Sequence, residues 1–188
     1  LGFLYLKTEG VSENYSDIEL PFLPKRRLKV GTFKVESTGF RLGERFIKII
    51  FDNAQQQNVD EIYVTLYTDR GELVALEELL YRWGFVYYGV KHNGERTEKV
   101  LVKSLHKMIE GATPKLNYPN ISYLCNKFIL PILPQYHTTL LPDSQLNSEN
   151  RIDFLGREPH RYALQKVYIS WASTNGAKPG DLILFYRM

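Results

Sequence analysis

The chain has 188 residues, 44% of them hydrophobic and 24% charged, which suffices for one large domain or two small ones with a real apolar core. The net charge is only +3: residues 109–188 carry eight Lys/Arg against six Asp/Glu, and residues 1–108 carry sixteen against fifteen. Neither half has the bulk electrostatic footprint of a dedicated nucleic-acid binder.

No apolar run approaches the roughly 18 residues of a membrane-spanning helix, and no secretory leader pattern opens the chain. Cys125 is the lone cysteine, which excludes an internal disulfide and makes a reducing, cytoplasmic compartment the expectation. The apolar start "LGFLYL" and the strand-like end "DLILFYRM" are expected to be cut from a longer protein.

In chain order, "GFLYLKTE" (2–9) is short, aromatic-rich and not helix-periodic, and predicts a buried strand. Residues 10–27 are polar and proline-bearing, hence a loop, and "LKVGTFKVE" (28–36) predicts the hairpin partner of the first strand. A six-residue turn containing Gly39 leads into a helix beginning near Leu42, with Gly43 at its start. Its Leu42, Phe46, Ile49, Ile50, Asn53 and Ala54 recur at spacings of three and four.

"VDEIYVTLY" (59–67) predicts a strand. "DRGELVALEELLYRWGF" (69–85) predicts a second amphipathic helix, packed through Leu73, Leu76, Leu79 and Leu80 and stopped at Gly84. Residues 86–105 predict a hairpin with "HNGE" at its tip. The strand–helix–strand unit in this order requires a partly parallel, mixed sheet.

The stretch 110–120, rich in Pro, Gly and Asn, is the expected domain boundary. After it come a proline-bearing strand "KFILPILP", a long loop "QYHTTLLPDSQLNSENR" and a short helix "EPHRYALQ". The strands "KVYISWAS" and "PGDLILFYR" complete a small, mostly β module.

The turn "ESTGFRLGERF" has the grammar of an anion-binding loop: strand, glycines, then a helix whose first amides are unpaired. Arg41 and Arg45 add cations able to pair with phosphates, and Gly43 permits close approach of a ligand or of the sheet. The same residues also suit a plain tight corner, and the local pattern leaves that choice open. His92, His106, His137 and His160 have no ligand spacing, so no metal site is expected.

Taken together, residues 2–105 resemble the GNAT family of acyl-CoA N-acyltransferases. The resemblance implies an α/β fold with a mixed sheet flanked by helices, without the first strand and the helices that would precede Leu1. It implies acetyl-CoA as cofactor, with backbone hydrogen bonds from the strand of Phe33 and Val35 to the pantetheine arm. The family's pyrophosphate loop, Gln/Arg-x-x-Gly-x-Gly/Ala, would read Thr38-Gly39-Phe40-Arg41-Leu42-Gly43 here, with Glu44 and Arg45 following. Thr38 replaces the family's Gln/Arg, and Arg41 replaces its middle glycine.

The family's general acid is a tyrosine in the second helix. Tyr81 is the candidate, although Leu80 holds the matching position. Glu36 is the candidate base by its place at the strand end. Residues 120–188 resemble PUA-like modules of the ASCH/EVE kind through the Gly180-Asp181 turn into an apolar strand. That resemblance implies RNA as partner, with Tyr136, His137, Trp171, Tyr186 and Arg187 as stacking or phosphate contacts.

The expected domains are 1–109, GNAT-like, and 117–188, PUA-like. The expected activity is acetyl transfer from acetyl-CoA to an amine, on or near RNA. The alternative is a catalytically degenerate GNAT-like scaffold that serves as an RNA-binding, nucleotide-binding or regulatory, toxin-antitoxin-like protein.

Overall fold

The structure, a computed structural model, describes residues 2–35, 42–67, 71–144, 164–169 and 176–188, excepting the side chains of 35, 72 and 143. The chain divides into two compact units, Leu1–Ile121 and Ser122–Met188. No helix among the described residues is long and apolar enough to cross a membrane.

The first unit is a mixed sheet with helices. Its strands are β1 (Gly2–Glu9), β2 (Arg27–Val35), β3 (Glu61–Tyr67), β4 (Val86–Asn93) and β5 (Arg96–Ser104), arranged β1-β2-β3-β5-β4. In this sheet β2 and β3 pair in parallel, and β1–β2, β3–β5 and β4–β5 are antiparallel. Helix α1 (Leu42–Gln56) forms the crossover between β2 and β3, and α2 (Val74–Arg82) follows β3 after a 3-10 turn at Gly71–Leu73.

Strand alternation gives the sheet two different faces. Leu28, Val30, Ile62, Val64 and Leu101 point to the face that α1 and α2 cover, and all are buried. The stripe of α1 that meets them is Ile47, Ile50, Phe51 and Ala54. This corrects the sequence reading, which omitted Ile47 and Phe51. Leu42, Phe46, Ile49 and Asn53 flank the stripe half-buried, and Asn53 donates to the Ile49 carbonyl at 2.8 Å.

The opposite face carries Tyr63, Val100 and Val102, on which the segment 10–26 lies through Ile18, with Tyr15, Phe22 and Tyr88 packed around them. Arg27 lies within this aromatic cover, 4.0 Å from the Phe22 ring and 5.1 Å from that of Tyr15, while its Nε pairs with Glu61 at 3.0 Å.

Strand β1 is at the edge of the described sheet, and Phe3 and Tyr5 are exposed, so the expectation of a buried strand is corrected. Its apolar sequence alternates, and only one side of it meets α1. At the β4–β5 hairpin, Asn93 pairs with Arg96, and Gly94 has φ +62° while Glu95 does not turn positive. Glycine therefore takes the first central position, the pattern of a type II′ turn.

Helix α2 ends in a Schellman motif: Gly84 N–H donates to Tyr81 O at 3.0 Å and Phe85 N–H to Leu80 O at 3.1 Å, with Gly84 at φ +80°. The stretch 110–120 folds back onto this unit. Asn117 bonds both backbone groups of Ile109, and Lys103 Nζ donates to the Leu116 carbonyl at 2.8 Å. Leu116 lies in the short helix α3 (Pro114–Asn117).

In the second unit, β6 (Lys127–Ile132) and β7 (Leu182–Arg187) form a parallel pair. Gly180 at φ +99° precedes β7, and the Asp181 carboxylate accepts from Lys178 N at 2.8 Å and Asn126 N at 3.2 Å, tying the turn to the foot of β6. The expected loop at 135–151 begins instead as helix α4 (Pro134–Leu140), started by a proline in its first turn. Of the expected strand 166–173, residues 166–169 are described without strand pairing and 170–173 lie outside the described residues, as do residues 158–163 of the expected short helix. Among the described residues there is no barrel.

Candidate functional site

The parallel ladder between β2 and β3 is short. It joins Arg27–Val30 to Glu61–Val64 and then stops, although β2 runs on to Val35 and β3 to Tyr67. Each strand keeps its other neighbour: β1 follows β2 out to Gly2↔Val35, and β5 follows β3 out to Tyr67↔Glu98. The two strands therefore part at their carboxyl ends, and a wedge opens in the sheet.

From Gly31 and Thr65 onward, the facing backbone edges have no strand partner among the described residues. Unpaired N–H and C=O groups in a sheet offer hydrogen bonds to an inserted extended molecule. Clefts outside the carboxyl ends of parallel strands are favoured ligand sites in α/β sheets.

A β-bulge marks where the wedge begins. Tyr5 pairs with Thr32 and Leu6 with Val30, so Gly31 is the extra residue on β2. A side chain there would put its Cβ 2.7 Å from the Tyr5 ring, so glycine is what lets that ring lie against the strand. Bulges bend and twist the strand that carries them and recur beside functional sites. The sequence reading missed this feature, although the glycine inside "LKVGTFKV" was a legible signal for it.

The structure brings Phe33, Val35, Leu42, Gly43, Glu44 and Arg45 to the carboxyl end of β2 and the start of α1. Phe33 packs on Phe46 at 5.4 Å between ring centroids, so its side chain faces the helix and only its backbone faces the wedge. A Cβ at Gly43 would lie 2.7 Å from Leu79 Cδ2, so Gly43 brings α1 close to α2 rather than to the sheet. Glu36, Thr38, Gly39, Phe40 and Arg41 lie outside the described residues.

Tyr81 is on the exposed side of α2. Its hydroxyl donates to Glu77 Oε1 at 2.9 Å, and Lys99 Nζ holds both oxygens of the same carboxylate at 3.0 Å. Desolvation and the Glu77 carboxylate push the Tyr81 phenol up, so it keeps its proton at neutral pH. Leu80, at the position matching the family's tyrosine, is fully buried in the core.

On the sheet face away from the helices, beside the first rungs of the parallel ladder, Glu9 is buried in a polar cluster. It accepts from Tyr63 Oη at 2.7 Å and Tyr15 Oη at 3.0 Å, and pairs with Lys7 at 3.2 Å. Burial pushes its carboxyl up, but the bonds from Tyr63, Lys7 and Tyr15 outweigh burial and leave it below the usual range.

Because the folded value is lowered, this contribution is present above the unfolded value and is lost as pH falls through the folded one. Glu9→Gln is expected to cost about 2 kcal/mol at pH 7, the scale of charge-assisted hydrogen bonds. The loss should shrink as the medium is acidified. Urea titrations at pH 7 and pH 4 check this, and an equal loss at both would refute it.

In the second unit, Tyr136 and Tyr186 are exposed, His137 is buried, and Arg187 is half-buried. Burial and the nearby Arg187 charge push the His137 imidazole down, so it is neutral at pH 7. Trp171 lies outside the described residues. No three His, Cys, Asp or Glu side chains among the described residues come together as metal ligands.

No family model matches the chain, and no curated protein matches it. Among solved structures, a chain of the crystal structure of the NatC complex bound to Gag peptide and CoA aligns at 18% identity and a TM-score of 0.40. The alignment covers 55% of this chain and 60% of that chain, so it spans less than two thirds of the neighbour's length. A likeness of that size decides neither fold nor function.

Proposed function

We propose that the wedge between β2 and β3 takes the pantetheine arm of an acyl-CoA, with acetyl-CoA as the reference cofactor, and that the protein transfers the acyl group to an amine. One observation carries this reading: the parallel ladder ends at Val30 and Val64 while both strands continue. The pantetheine arm is an extended chain with two amides, and it suits backbone edges of this kind.

Residues 36–41 and the first turn of α1 follow β2 in the chain. Arg41, Arg45 and the first-turn amides of a 15-residue helix are the proposed pyrophosphate contacts. In the reaction the amine nitrogen attacks the thioester carbonyl carbon, the carbon–sulfur bond breaks, and the sulfur leaves as thiolate. The nitrogen loses a proton and the thiolate gains one. Glu36 is the proposed acceptor of the first proton and Tyr81 the proposed donor of the second.

Thermal unfolding of the full chain with acetyl-CoA tests the reading. Ligand at about 100 times its dissociation constant should stabilise the fold by about 2.7 kcal/mol. No shift at millimolar acetyl-CoA would refute it.

A second reading is a non-catalytic scaffold of the same shape, in which the second unit binds RNA through Tyr136 and Tyr186. Full burial of Leu80, where the family's acid belongs, favours it. Cofactor binding without acetyl transfer to any amine, together with salt-dependent RNA binding, would select this reading.

A further inference from the structure

Helix α1 leaves the end of β2 and packs on the helical face, so an acceptor reaches the wedge from the opposite face. Lys29 is the last β2 side chain on that face before the Gly31 bulge, and its ladder partner is Tyr63, one step before the strands part. Its ammonium makes no hydrogen bond among the described residues. The nearest carboxylate oxygen is Glu9 Oε1 at 4.0 Å, and the Tyr63 ring centroid lies 5.7 Å away. The side chain is 25% exposed at the foot of the wedge.

The carboxylates of this face are otherwise engaged. Glu9 is held by Tyr63, Tyr15 and Lys7, Glu61 by Lys25 and Arg27, and Glu98 by Asn93. An ammonium has three donors, and Lys29 spends none of them on a hydrogen bond. The acceptor side thus presents a cation with unused donors beside carboxylates that are already engaged. A polycationic amine would meet like charge there. An amine beside a carboxylate or phosphate would meet a partner, and the lysine would also disfavour protonation of that amine.

We infer that Lys29 is a specificity-determining residue that selects acceptor amines carrying a neighbouring carboxylate or phosphate. The inference rests on the acyl-transfer reading above, and the test separates the two.

The full chain and its Lys29→Gln variant are assayed with acetyl-CoA and matched acceptors: alanine against alaninamide, phosphoethanolamine against ethanolamine, with spermidine as the polycation. Acetyl-CoA binding is measured separately by calorimetry. The charged member of at least one pair should be preferred about tenfold in kcat/KM, the scale of one charge-assisted contact. Lys29→Gln should erase that preference through KM, leave the neutral member unchanged, and leave acetyl-CoA affinity unchanged. The pair that shows the preference distinguishes carboxylate from phosphate.

Preference for spermidine or for the neutral members overturns the inference. So does an equal loss on both members in the variant, or no turnover of any acceptor by a protein that binds acetyl-CoA. Failure of the wild type to bind acetyl-CoA overturns the acyl-transfer reading, and the inference with it.

Discussion

Gly84→Ala is expected to lower the unfolding free energy by about 3 kcal/mol, summed from a left-handed backbone, a steric clash and a broken charged hydrogen bond. Gly84 has φ +80°, where an L side chain is strained. A Cβ there would sit 2.1 Å from the Leu116 carbonyl oxygen, an atom of backbone that cannot rotate aside. Relieving that contact moves α3 away and takes Leu116 O from Lys103 Nζ, which donates to it at 2.8 Å. The buried ammonium then loses its acceptor. Urea unfolding at pH 7 measures the effect, and a loss under about 1 kcal/mol would show that the Schellman turn is not locked to α3.

Lys103 itself should make stability rise with pH. It is 3% exposed on the helical face, 5.7 Å from the Phe51 ring centroid, and among the described residues no carboxylate pairs with it. Desolvation pushes its ammonium down from 10.5 to about 8. Between these values the unfolded chain holds a proton that the folded chain has released, so the folded state gains as pH climbs.

The gain from pH 8 to pH 10 is roughly 2–3 kcal/mol, at about 1.4 kcal/mol per unit. Above pH 10 the trend reverses, because burial pushes the phenol of Tyr15 up to about 12 and that of Tyr63 higher still. Tyrosines of the unfolded chain then ionise first. Lys103→Met should flatten the rise between pH 8 and pH 10 and keep the fall beyond it. Denaturation curves across this range decide the matter, and an unchanged slope in the variant would remove Lys103 as its cause.

Some of the molecule was readable residue by residue. The helix period in "LGERFIKIIFDNA", the stop at Gly84 and the Asn-Gly hairpin are local signals whose physics lies within a few residues. The α1 register was read imperfectly because a wide apolar face offers several stripes. Only contact with Trp83, Phe85 and Tyr118 singles out the one containing Phe51. Glu9 was invisible as a site residue, since its partners Tyr15 and Tyr63 are six and fifty-four positions away.

In residues 2–105 the sequence by itself determined the order of strands and helices, the need for a parallel pair, and the glycine and arginine residues between β2 and α1. Those follow from periodicity, turn chemistry and chain connectivity. Tertiary structure alone decided that the parallel ladder stops after Val30 and Val64 and that the bulge falls on Gly31. It also decided that Lys29 stands on the face away from the helices while Leu80 is buried. A ladder ends where two strands, each held by its other neighbour, can no longer twist together. That competition between non-adjacent pairings leaves no mark in either strand's own residues.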